Sequence, residues 1–399
     1  MAAGEGARAR SLPGDWSGLV VFCAATSWDG NQFPDQHIAR RLTRYAPVLY
    51  VDPPISHLSP RRNPDLAASL ERPRLRVLAP NLARLTPVVP PGKAKPVIAP
   101  VAWWLTKRAI GHAVRSLTDD VHAVVAASFA PVFGICGERL RVFYGTDDFV
   151  AGAELFGVGV ERLRRDEARQ LADADVVIAI STDLADRYRR LGHVASVVPN
   201  GCDDALFATT PDTLPASDID LPEPIVGYIG HMAARIDLRL LEAIVERGRS
   251  LLLVGPDALS LDRARFDRLV SAPNVQWVGR RPFNSLPSYL RAMAVGILPY
   301  GDTEFNRASF PLKLLEYLAG GRAAVATDLP AVRSLATDLV EVASEPSAFA
   351  DAVDRAIAGD NSEAMVRRRM AFAGGHTWDE RAESFASLMG LGARAGEPT

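Results

Sequence analysis

Short apolar runs rich in β-branched residues alternate with helical stretches along the whole chain, and this alternation constrains the fold more than any other feature. Such runs are typical of buried strands in parallel sheets, and the stretches between them are typical of crossover helices. The strands predicted in the first half are 19–22, 48–51, 75–78, 123–126, 142–144, 176–179 and 196–198. The sequence therefore predicts an α/β fold whose ligands bind at the carboxyl ends of the strands.

One segment interrupts this alternation. Residues 207–224 contain four prolines, many small polar residues and no basic residue, a composition typical of a linker between domains. The alternation then resumes, with strands predicted at 225–230, 251–254, 275–278, 295–298, 323–326 and 339–342. We therefore expect two doubly wound, Rossmann-like domains that face each other across a cleft.

These features divide the chain into five parts. We expect a disordered N-terminus at 1–15, an N-terminal Rossmann-like domain at 16–206 and a linker at 207–223. A C-terminal Rossmann-like domain is predicted at 224–375, and a last helix with a frayed tail at 376–399.

Charge, cysteine content and hydropathy exclude several classes of protein. The 45 basic and 47 acidic side chains give a net charge of -2, which argues against a nucleic-acid partner held by bulk positive charge. The three cysteines, Cys23, Cys136 and Cys202, are too far apart in sequence for a disulfide framework or a zinc knuckle. Residues 1–15 lack the apolar core of a secretory signal, and the longest uncharged run, 121–137, is too short for a spanning helix. We therefore expect a cytoplasmic protein.

Aspartate pairs were considered as metal ligands. Asp173 and Asp175 end a predicted helix before a buried strand, and Asp218 and Asp220 lie in the linker, so their positions favour capping and loop roles. Asp257 with its neighbours is a looser candidate. Because no His/Cys cluster has zinc spacing either, the sequence predicts no metal site.

The segment 300–330 is the part of the chain that is most informative about function. Ser309 is predicted to cap a three-turn helix with an early proline, Pro311, and Gly320–Gly321 to end that helix in a left-handed turn. The helix would begin near the carboxyl end of the strand at 295–298, so that its positive end opens onto a crevice.

Two charged residues share one face of this helix. Lys313 and Glu316 are three positions apart, so they are neighbours on the helix surface. Free N–H groups and Lys313 together would stabilise a diphosphate. The alternative is a solvated salt bridge between the two residues, worth under about 1 kcal/mol. Their spacing does not decide between these roles.

The run 311–327, PLKLLEYLAGGRAAVAT, resembles the nucleotide-sugar signature P-x-K-x-x-E-Y-L-A-x-G-x-P-V-V-A-T of GT-B glycosyltransferases. This form occurs in teichuronic-acid and bacterial cell-surface polysaccharide glycosyltransferases of the group 1 type. Other stretches match at 198–203, 227–230 and 275–280. The resemblance covers about 18–391, and it is specific in the second domain and loose in the first.

The resemblance implies a donor site in the second domain and an acceptor site in the first. Glu316 would bind the ribose hydroxyls and Lys313 would face the diphosphate, since carboxylates accept from hydroxyls and cations stabilise a leaving diphosphate. Gly230 would form the turn beneath the phosphates. The remaining implied donor-site residues are His231, Arg235, Val278, Gly279, Arg280, Tyr300, Pro311 and Leu312.

One departure from the family concerns the mechanism. The large retaining family has a second glutamate where this chain has Ala308. Its absence weakens a retaining mechanism and slightly favours inversion. The loop 144–149 resembles the aspartate-bearing loop of inverting relatives, so Asp148 or Asp147 is expected to be the general base, with His37 as a further candidate. The alternative is that the aspartates only shape the turn.

The acceptor would meet the loop after the first strand, which places Trp28, Asp29 and Asn31 at the cleft mouth. A second feature is the segment 92–115, in which basic residues alternate with Trp103, Trp104 and aliphatic residues. It predicts either an interfacial segment on an anionic membrane or an ordinary helix whose aromatic side packs on the sheet.

The sequence thus predicts a metal-independent glycosyltransferase without a cofactor. Its donor would be a nucleotide diphosphate sugar, most simply a UDP-sugar, and its acceptor a glycan, a lipid-linked saccharide or a secondary metabolite. The protein would be cytoplasmic, either free or peripheral at the inner face of the membrane. Two alternatives remain: a nucleotide-sugar 2-epimerase of the same fold, and a non-catalytic nucleotide-sugar binding protein.

Overall fold

The computed structural model describes residues 14–29, 33–61, 63–93, 95, 97–257 and 262–393. Asn31, most of the predicted disordered N-terminus and the last six residues lie outside the described residues.

The first sheet has eight strands in the order β3-β4-β2-β1-β5-β6-β7-β8. All neighbouring strands are parallel except β3 and β4, which are antiparallel. The strands are β1 (Leu19–Cys23), β2 (Val48–Val51), β3 (Leu75–Ala79), β4 (Leu82–Leu85), β5 (Val121–Ala126), β6 (Leu140–Gly145), β7 (Val176–Ala179) and β8 (Ser196–Val197). Each strand predicted in this half is present, and β4 is an additional one.

The second sheet is wholly parallel, with six strands in the order β11-β10-β9-β12-β13-β14. The strands are β9 (Ile225–Ile229), β10 (Ser250–Val254), β11 (Val275–Gly279), β12 (Met293–Leu298), β13 (Ala323–Ala326) and β14 (Val340–Val342). This order reverses between β9 and β12, and ligands of doubly wound sheets bind at such a reversal. The predicted doubly wound α/β class is confirmed.

Helices cover both sheets. They are α1 (Pro34–Leu42), α2 (Ala99–Leu117), α3 (Val160–Asp173), α4 (Thr182–Arg190), α5 (Asp204–Phe207), α6 (Leu238–Glu246), α7 (Arg263–Val270), α8 (Leu286–Ala292), α9 (Glu304–Ala308), α10 (Leu312–Ala319), α11 (Pro330–Arg333), α12 (Pro346–Ala358), α13 (Glu363–Gly374) and α14 (Trp378–Leu388). Short 3-10 turns lie at Ser59–Arg61, Pro64–Leu70, Thr210–Asp212 and Phe283–Ser285. Within the described residues no helix is both long and apolar enough to cross a bilayer.

The last helix, α14, packs on α1 of the first sheet, although it follows the second sheet in sequence. Trp378 is only 1% exposed and stacks on His37 with ring centroids 4.9 Å apart. Asp379 pairs with Arg41 and Arg44 at 3.1 and 2.6 Å. Burial of the indole and of Phe385 attaches the end of the chain to the first domain.

Helix α2 packs on the other face of the first sheet through aliphatic residues, including Ile110 and Val114. Trp104 is 58% exposed. The expectation that an ordinary helix here packs its aromatic side on the sheet is therefore wrong for Trp104, which lies on the outer face.

Strand β4 escaped sequence analysis because a charged residue occupies its centre. Arg84 is 3% exposed, and its guanidinium pairs with Asp52 at 2.8 Å and with Asp29 at 2.8 Å. Thr86 donates to the same Asp52 carboxylate at 2.5 Å. An arginine in a four-residue run breaks the apolar pattern that marks a strand, yet here the charge is fully paired.

Replacing Arg84 should test how much this buried network of ion pairs stabilises the protein. We expect Arg84→Met to cost about 3–5 kcal/mol of unfolding free energy, since it leaves Asp52 buried without its partner. The measurement is urea-induced unfolding followed by circular dichroism. The control is Arg139→Met, which breaks an exposed pair with Asp120 and should cost under about 1 kcal/mol. Equal losses in the two variants would contradict this account.

Candidate functional site

A cleft of about 740 Å³ lies between the carboxyl ends of the two sheets. Residues from both sides line it, so the two predicted Rossmann-like halves do face each other. The sequence-predicted residues that line it are His37, Asp147, Gly230, His231, Arg235, Arg280, Tyr300, Pro311, Leu312, Lys313 and Glu316. Trp28, Asp29, Asp148, Val278 and Gly279 do not appear in its lining.

Helix α10 presents Lys313 and Glu316 to this cleft, but its start differs from the prediction. Pro311, not Ser309, precedes its first residue, and the helix has eight residues, about two turns. Ser309 instead ends α9 and donates its hydroxyl hydrogen to the Phe305 carbonyl at 2.9 Å. The predicted cap was wrong because Thr303 already caps a separate short helix ahead of the proline.

A buried tyrosine fixes the position of α10. The Tyr317 hydroxyl accepts the Ile229 N–H at 3.0 Å and donates to the Ile297 carbonyl at 3.2 Å. Its ring fills the space over Gly296, where a Cβ would lie 2.5 Å from ring atoms. These contacts link α10 to the ends of β9 and β12, the two strands at the point of reversal.

Lys313 and Glu316 form an ion pair of 2.8 Å. Glu316 is only 4% exposed, so this pair differs from the solvated surface bridge considered as the alternative. A buried carboxylate with an adjacent cation, both open to a cleft, is suited to binding polar ligand groups. The arrangement is compatible with the predicted contacts to a ribose and a diphosphate.

Two glycine backbones make the close turn beneath the cleft. The Gly230 N–H donates to the Val254 carbonyl at 2.8 Å, and the Gly255 N–H donates to the Gly279 carbonyl at 2.9 Å. Gly255 has φ +145°, and a Cβ there would lie 1.8 Å from the Gly230 oxygen. Sequence analysis singled out Gly230 and missed Gly255. The available signal was a glycine directly after the strand at 251–254.

Several cations converge near this turn. Burial lowers the pKa of His231, and the positive charges of Lys313, Arg235 and Arg280 lower it further. All four side chains line the cleft. An anion placed among them would relieve this repulsion, which is the electrostatic requirement of a diphosphate site.

Arg235 is oriented by aromatic rings rather than by carboxylates. Its guanidinium lies 4.0 Å from the Tyr300 ring centroid and 5.3 Å from that of Phe305. Its buried Nε has no hydrogen-bond partner among the described residues. Cation–π contacts hold the group in place while leaving donors for an anion.

Of the two candidate bases, only Asp147 faces the cleft. Asp148 pairs with Arg187 at 3.2 Å and accepts the Ala151 N–H at 2.9 Å, so its carboxylate is used in the structure of the loop. Asp148 and Asp147 were both predicted as candidate bases, and these contacts of Asp148 fit the turn-shaping role considered as the alternative. Asp147 accepts a hydrogen bond from the Ser309 hydroxyl of the second domain at 3.3 Å.

The environment of Asp147 suits proton transfer. Burial raises its pKa to about 6, and the Asp148 and Asp35 charges act in the same direction, whereas Arg235 and Ser309 partly offset them. A base with a pKa near 6 is largely ionised at neutral pH and still takes up a proton.

His37 lines the cleft but is poorly suited to act as a base. Burial lowers its pKa to about 3, and the charges of Arg41 and Arg40 contribute. It stays neutral across the physiological range, so the structure gives it a hydrogen-bonding and stacking role in place of the predicted proton transfer.

Two of the predicted acceptor residues, Trp28 and Asp29, make contacts within the first domain. Trp28 packs edge-on against Tyr50 with centroids 4.8 Å apart, and Arg40 lies over its ring at 4.3 Å. Asp29 is held by Arg84 and by Ser69. Neither side chain is among those that line the cleft. Sequence analysis could not foresee the contact of Asp29 because its partner, Arg84, lies in the strand it missed.

The predicted base-binding backbone is likewise used internally. The Gly279 carbonyl accepts from Gly255, and the Val278 carbonyl accepts from Arg281. On this side the cleft is lined by Arg280, Arg281 and Phe283.

Sequence analysis also missed Asp35, which lines the cleft at the start of α1. Its Oδ2 accepts from the N–H groups of Ala25 and Thr26 at 2.8 and 3.0 Å and from the Thr26 hydroxyl at 3.1 Å. Burial raises its pKa to about 6 despite these hydrogen bonds. The signal was an aspartate directly after Pro34, a position typical of a first helical turn.

One aspartate of each candidate metal-binding group forms an ion pair with an arginine. Asp175 pairs with Arg141, Asp218 with Arg281 and Asp257 with Arg263. Across the part of the chain that the structure describes, no group of three or more His, Cys, Asp or Glu side chains could hold a metal ion.

Residues 223–359 match the model of the family described as "Glycosyl transferases group 1". This part of the chain is a group 1 glycosyltransferase domain. It contains the Gly230 turn, the basic residues and all of α10. The first domain lies outside the matched range.

A curated glycosyltransferase is also similar to part of the chain. The chain is 32% identical over 182 residues to TuaH of Bacillus subtilis, a protein assigned to teichuronic acid biosynthesis as a glycosyltransferase. This match covers 44% of the chain and 46% of TuaH, so the chain spans about half the length of that relative.

Solved structures resemble nearly the whole chain. Sucrose-phosphate synthase from Thermosynechococcus elongatus is 17% identical with a TM-score of 0.69, covering 93% of this chain and 98% of its own. Anabaena HepE, solved with UDP and glucose, is 15% identical with a TM-score of 0.64 over 93% of this chain and 99% of its own. The trehalose-phosphate synthase of Burkholderia vietnamiensis is 13% identical with a TM-score of 0.67, covering 94% and 98%. These likenesses establish the predicted GT-B fold.

The close approach of Gly255 to Gly230 predicts a large effect in the group 1 domain. Gly255→Ala should lose about 3 kcal/mol or more of unfolding free energy, because backbone must move to admit the methyl group. Gly248→Ala is the matched control: its φ is also positive, at +76°, but nothing lies within 4 Å of the added Cβ. We expect it to lose only about 1 kcal/mol. Similar losses in chemical denaturation would refute the steric argument.

Proposed function

We propose that this chain is a glycosyltransferase that moves a sugar from a nucleotide diphosphate sugar to an acceptor hydroxyl. The observation that carries the proposal is the arrangement of the cleft. Lys313, Glu316 and Arg235 line its second-domain side, and Asp147 lines its first-domain side. One side thus offers groups suited to a nucleotide diphosphate, and the other offers a carboxylate suited to activating an acceptor.

The donor would lie on the group 1 domain. Lys313, Arg235 and the N–H groups at the start of α10 would hold the diphosphate, and Glu316 would accept hydrogen bonds from the ribose hydroxyls. A UDP-sugar is the preferred donor because HepE, which shares the fold, was solved with UDP and glucose.

The transfer would proceed with inversion. Asp147 takes the proton of the acceptor hydroxyl while the acceptor oxygen forms a bond to the anomeric carbon. The bond from that carbon to the diphosphate breaks, and its electron pair leaves with the nucleotide diphosphate, stabilised by Lys313 and Arg235. Ala308 supports this route, since it is 4% exposed and packed against the first domain where the retaining family has a carboxylate.

The reaction is proposed to need neither metal nor cofactor. Cationic side chains and a helix N-terminus already converge where the leaving group would sit, and they can stabilise its charge. The acceptor is a glycan, a lipid-linked saccharide or a secondary metabolite. We assign the enzyme to the cytoplasm, where nucleotide sugars would reach the open cleft.

Calorimetric titration should identify the donor base and test its site. We expect one of UDP, GDP, dTDP and ADP, with UDP the first candidate, to bind in the absence of added metal. Lys313→Ala should weaken that binding about 10- to 100-fold by removing one charge-assisted contact. Glu316→Gln should weaken it by a similar factor. Lys107→Ala and Glu363→Gln are controls on exposed helix faces. Failure of all four nucleotides to bind would overturn the proposal.

The pH dependence of turnover should identify the base. With the best-bound nucleotide sugar, we expect kcat/KM to rise as pH increases through about 6, because Asp147 must be deprotonated. Asp147→Asn should lower kcat about 100- to 10,000-fold and abolish this limb. Nuclear magnetic resonance of the product should show the inverted anomer.

Two nearby aspartates serve as controls for the assignment of Asp147 as the base. Asp148→Asn, adjacent in sequence, and Asp35→Asn, whose pKa is also about 6, should keep the acid limb and most of the turnover. If Asp35→Asn loses the acid limb of the pH profile and Asp147→Asn keeps it, Asp35 and not Asp147 is the base.

A further inference from the structure

A second large groove shares no lining residue with the cleft, lies between helix α2 and the carboxyl end of β4 in the first sheet, and encloses about 710 Å³. The carboxyl end of β4 forms its floor through Leu85, Thr86, Pro87 and Val88. Its ionisable lining residues are all basic: His57, Arg72, Arg74, Arg108, His112 and Arg115. None of the described residues lining this groove, which we call the basic groove, carries a carboxylate.

The absence of carboxylates from this lining leaves like charges close together. Burial lowers the pKa of Arg74, and the neighbouring charges of Arg72 and Arg76 lower it further. Most arginines in the described part of the chain pair with a carboxylate, as Arg141 does with Asp175. Positive side chains gathered without acidic partners favour an anionic ligand with several negative charges.

The same helix continues the basic groove into an apolar surface. Val101, Trp104, Arg108, His112 and Arg115 recur at spacings of three or four residues, so they form one stripe along α2. All five are exposed. The Arg108 guanidinium lies 5.6 Å from the Trp104 ring centroid, where apolar and basic parts of the stripe meet.

The apolar part is strongly exposed. Trp104 is 58% exposed and Val101 50%, and Val97, just before the helix, is 86% exposed. Lys95 and Lys107 flank these residues and are also exposed. A tryptophan with aliphatic neighbours and a border of basic residues is the composition that lies at the boundary between lipid headgroups and acyl chains.

We propose that this face of the first domain docks on an anionic phospholipid surface, with lipid phosphates in the basic groove and Trp104, Val101 and Val97 at the acyl boundary. The two parts of the stripe match the two parts of such a surface, charge against headgroup and apolar side chain against acyl chain. Neither a soluble anion nor an uncharged bilayer would use both.

This inference rests on the proposed function and deepens it by favouring the lipid-linked acceptor. The basic groove lies at the carboxyl end of β4, and the cleft opens at the carboxyl ends of the same sheet. A membrane on this face would therefore lie on the side of the first sheet at which the cleft opens. Lipid binding itself requires neither donor binding nor turnover, so the two proposals can fail separately.

Vesicle flotation tests the proposal with the full chain. We expect binding to phosphatidylcholine vesicles containing phosphatidylglycerol to be at least about tenfold stronger than to phosphatidylcholine alone, and to fall as salt is raised. Charge reversal of Arg72, Arg108 and Arg115 to Glu should reduce it at least about tenfold. Trp104→Ser should reduce it at a fixed phosphatidylglycerol content.

Matched controls separate this surface from general charge and hydrophobicity. Reversal of Arg165, Arg190 and Arg268 to Glu makes the same change of charge at exposed positions on α3, α4 and α7. Leu214→Ser removes an apolar side chain that is 83% exposed elsewhere. Both controls should bind vesicles as the unmodified chain does. Thermal unfolding and nucleotide titration of every variant report folding and donor binding separately.

Three outcomes would overturn the proposal. The first is vesicle binding that does not depend on phosphatidylglycerol, and the second is an equal loss in the basic-groove and control charge reversals. The third is binding of inorganic pyrophosphate at the basic groove, seen by calorimetry, without vesicle binding. Should the triple variant fail to fold, the Trp104→Ser result and the salt dependence decide. Vesicle binding without nucleotide binding would leave this inference standing and remove the proposed function.

Discussion

The position of one buried phenol determines the geometry of the donor side of the cleft. Tyr317 lies in α10 itself, and its hydroxyl joins the backbone at Ile229 to that at Ile297. It can do so only because Gly296 leaves room for its ring. Lys313 lies one turn before Tyr317 on the same short helix and Glu316 directly before it, so the direction of both side chains is set by a contact inside the core. A two-turn helix has little stability of its own, so α10 is stabilised by the packing of Tyr317 and not by the helix propensity of its residues.

The cleft depends equally on contacts between the two domains. Ser309 reaches Asp147, Ser181 donates to the Ala308 carbonyl at 2.5 Å, and Arg280 pairs with Asp65. Each contact joins one domain to the other beside the cleft. The base candidate and the basic residues therefore belong to one chamber, in which a reacting hydroxyl and a leaving diphosphate could be held in line with water largely excluded.

The sequence predicted the parts of this fold that depend on local pattern. Thirteen of the strands coincide with the apolar runs predicted from the sequence, and Lys313 and Glu316 were found because a helical spacing and a family signature agree. The sequence did not predict the features that depend on a partner distant along the chain. Nothing near Asp148 in sequence reveals Arg187, which occupies its carboxylate. Nothing near β4 reveals that Asp52 and Asp29 pair with Arg84 and so permit an arginine inside a buried strand.

In the proposed inverting route, Ala308 and Asp147 would be two aspects of one arrangement. Ala308 is small enough for the end of α9 to pack against the first domain, and its carbonyl then accepts from Ser181. A glutamate there would place a second charge near Asp147, whose pKa neighbouring carboxylates already raise. Two carboxylates at one point would favour a shared proton, so that less of the pair would be ionised and ready to take up a proton at neutral pH. A single carboxylate, supplied from the first domain, is the simpler condition for proton abstraction from an acceptor that approaches from that side.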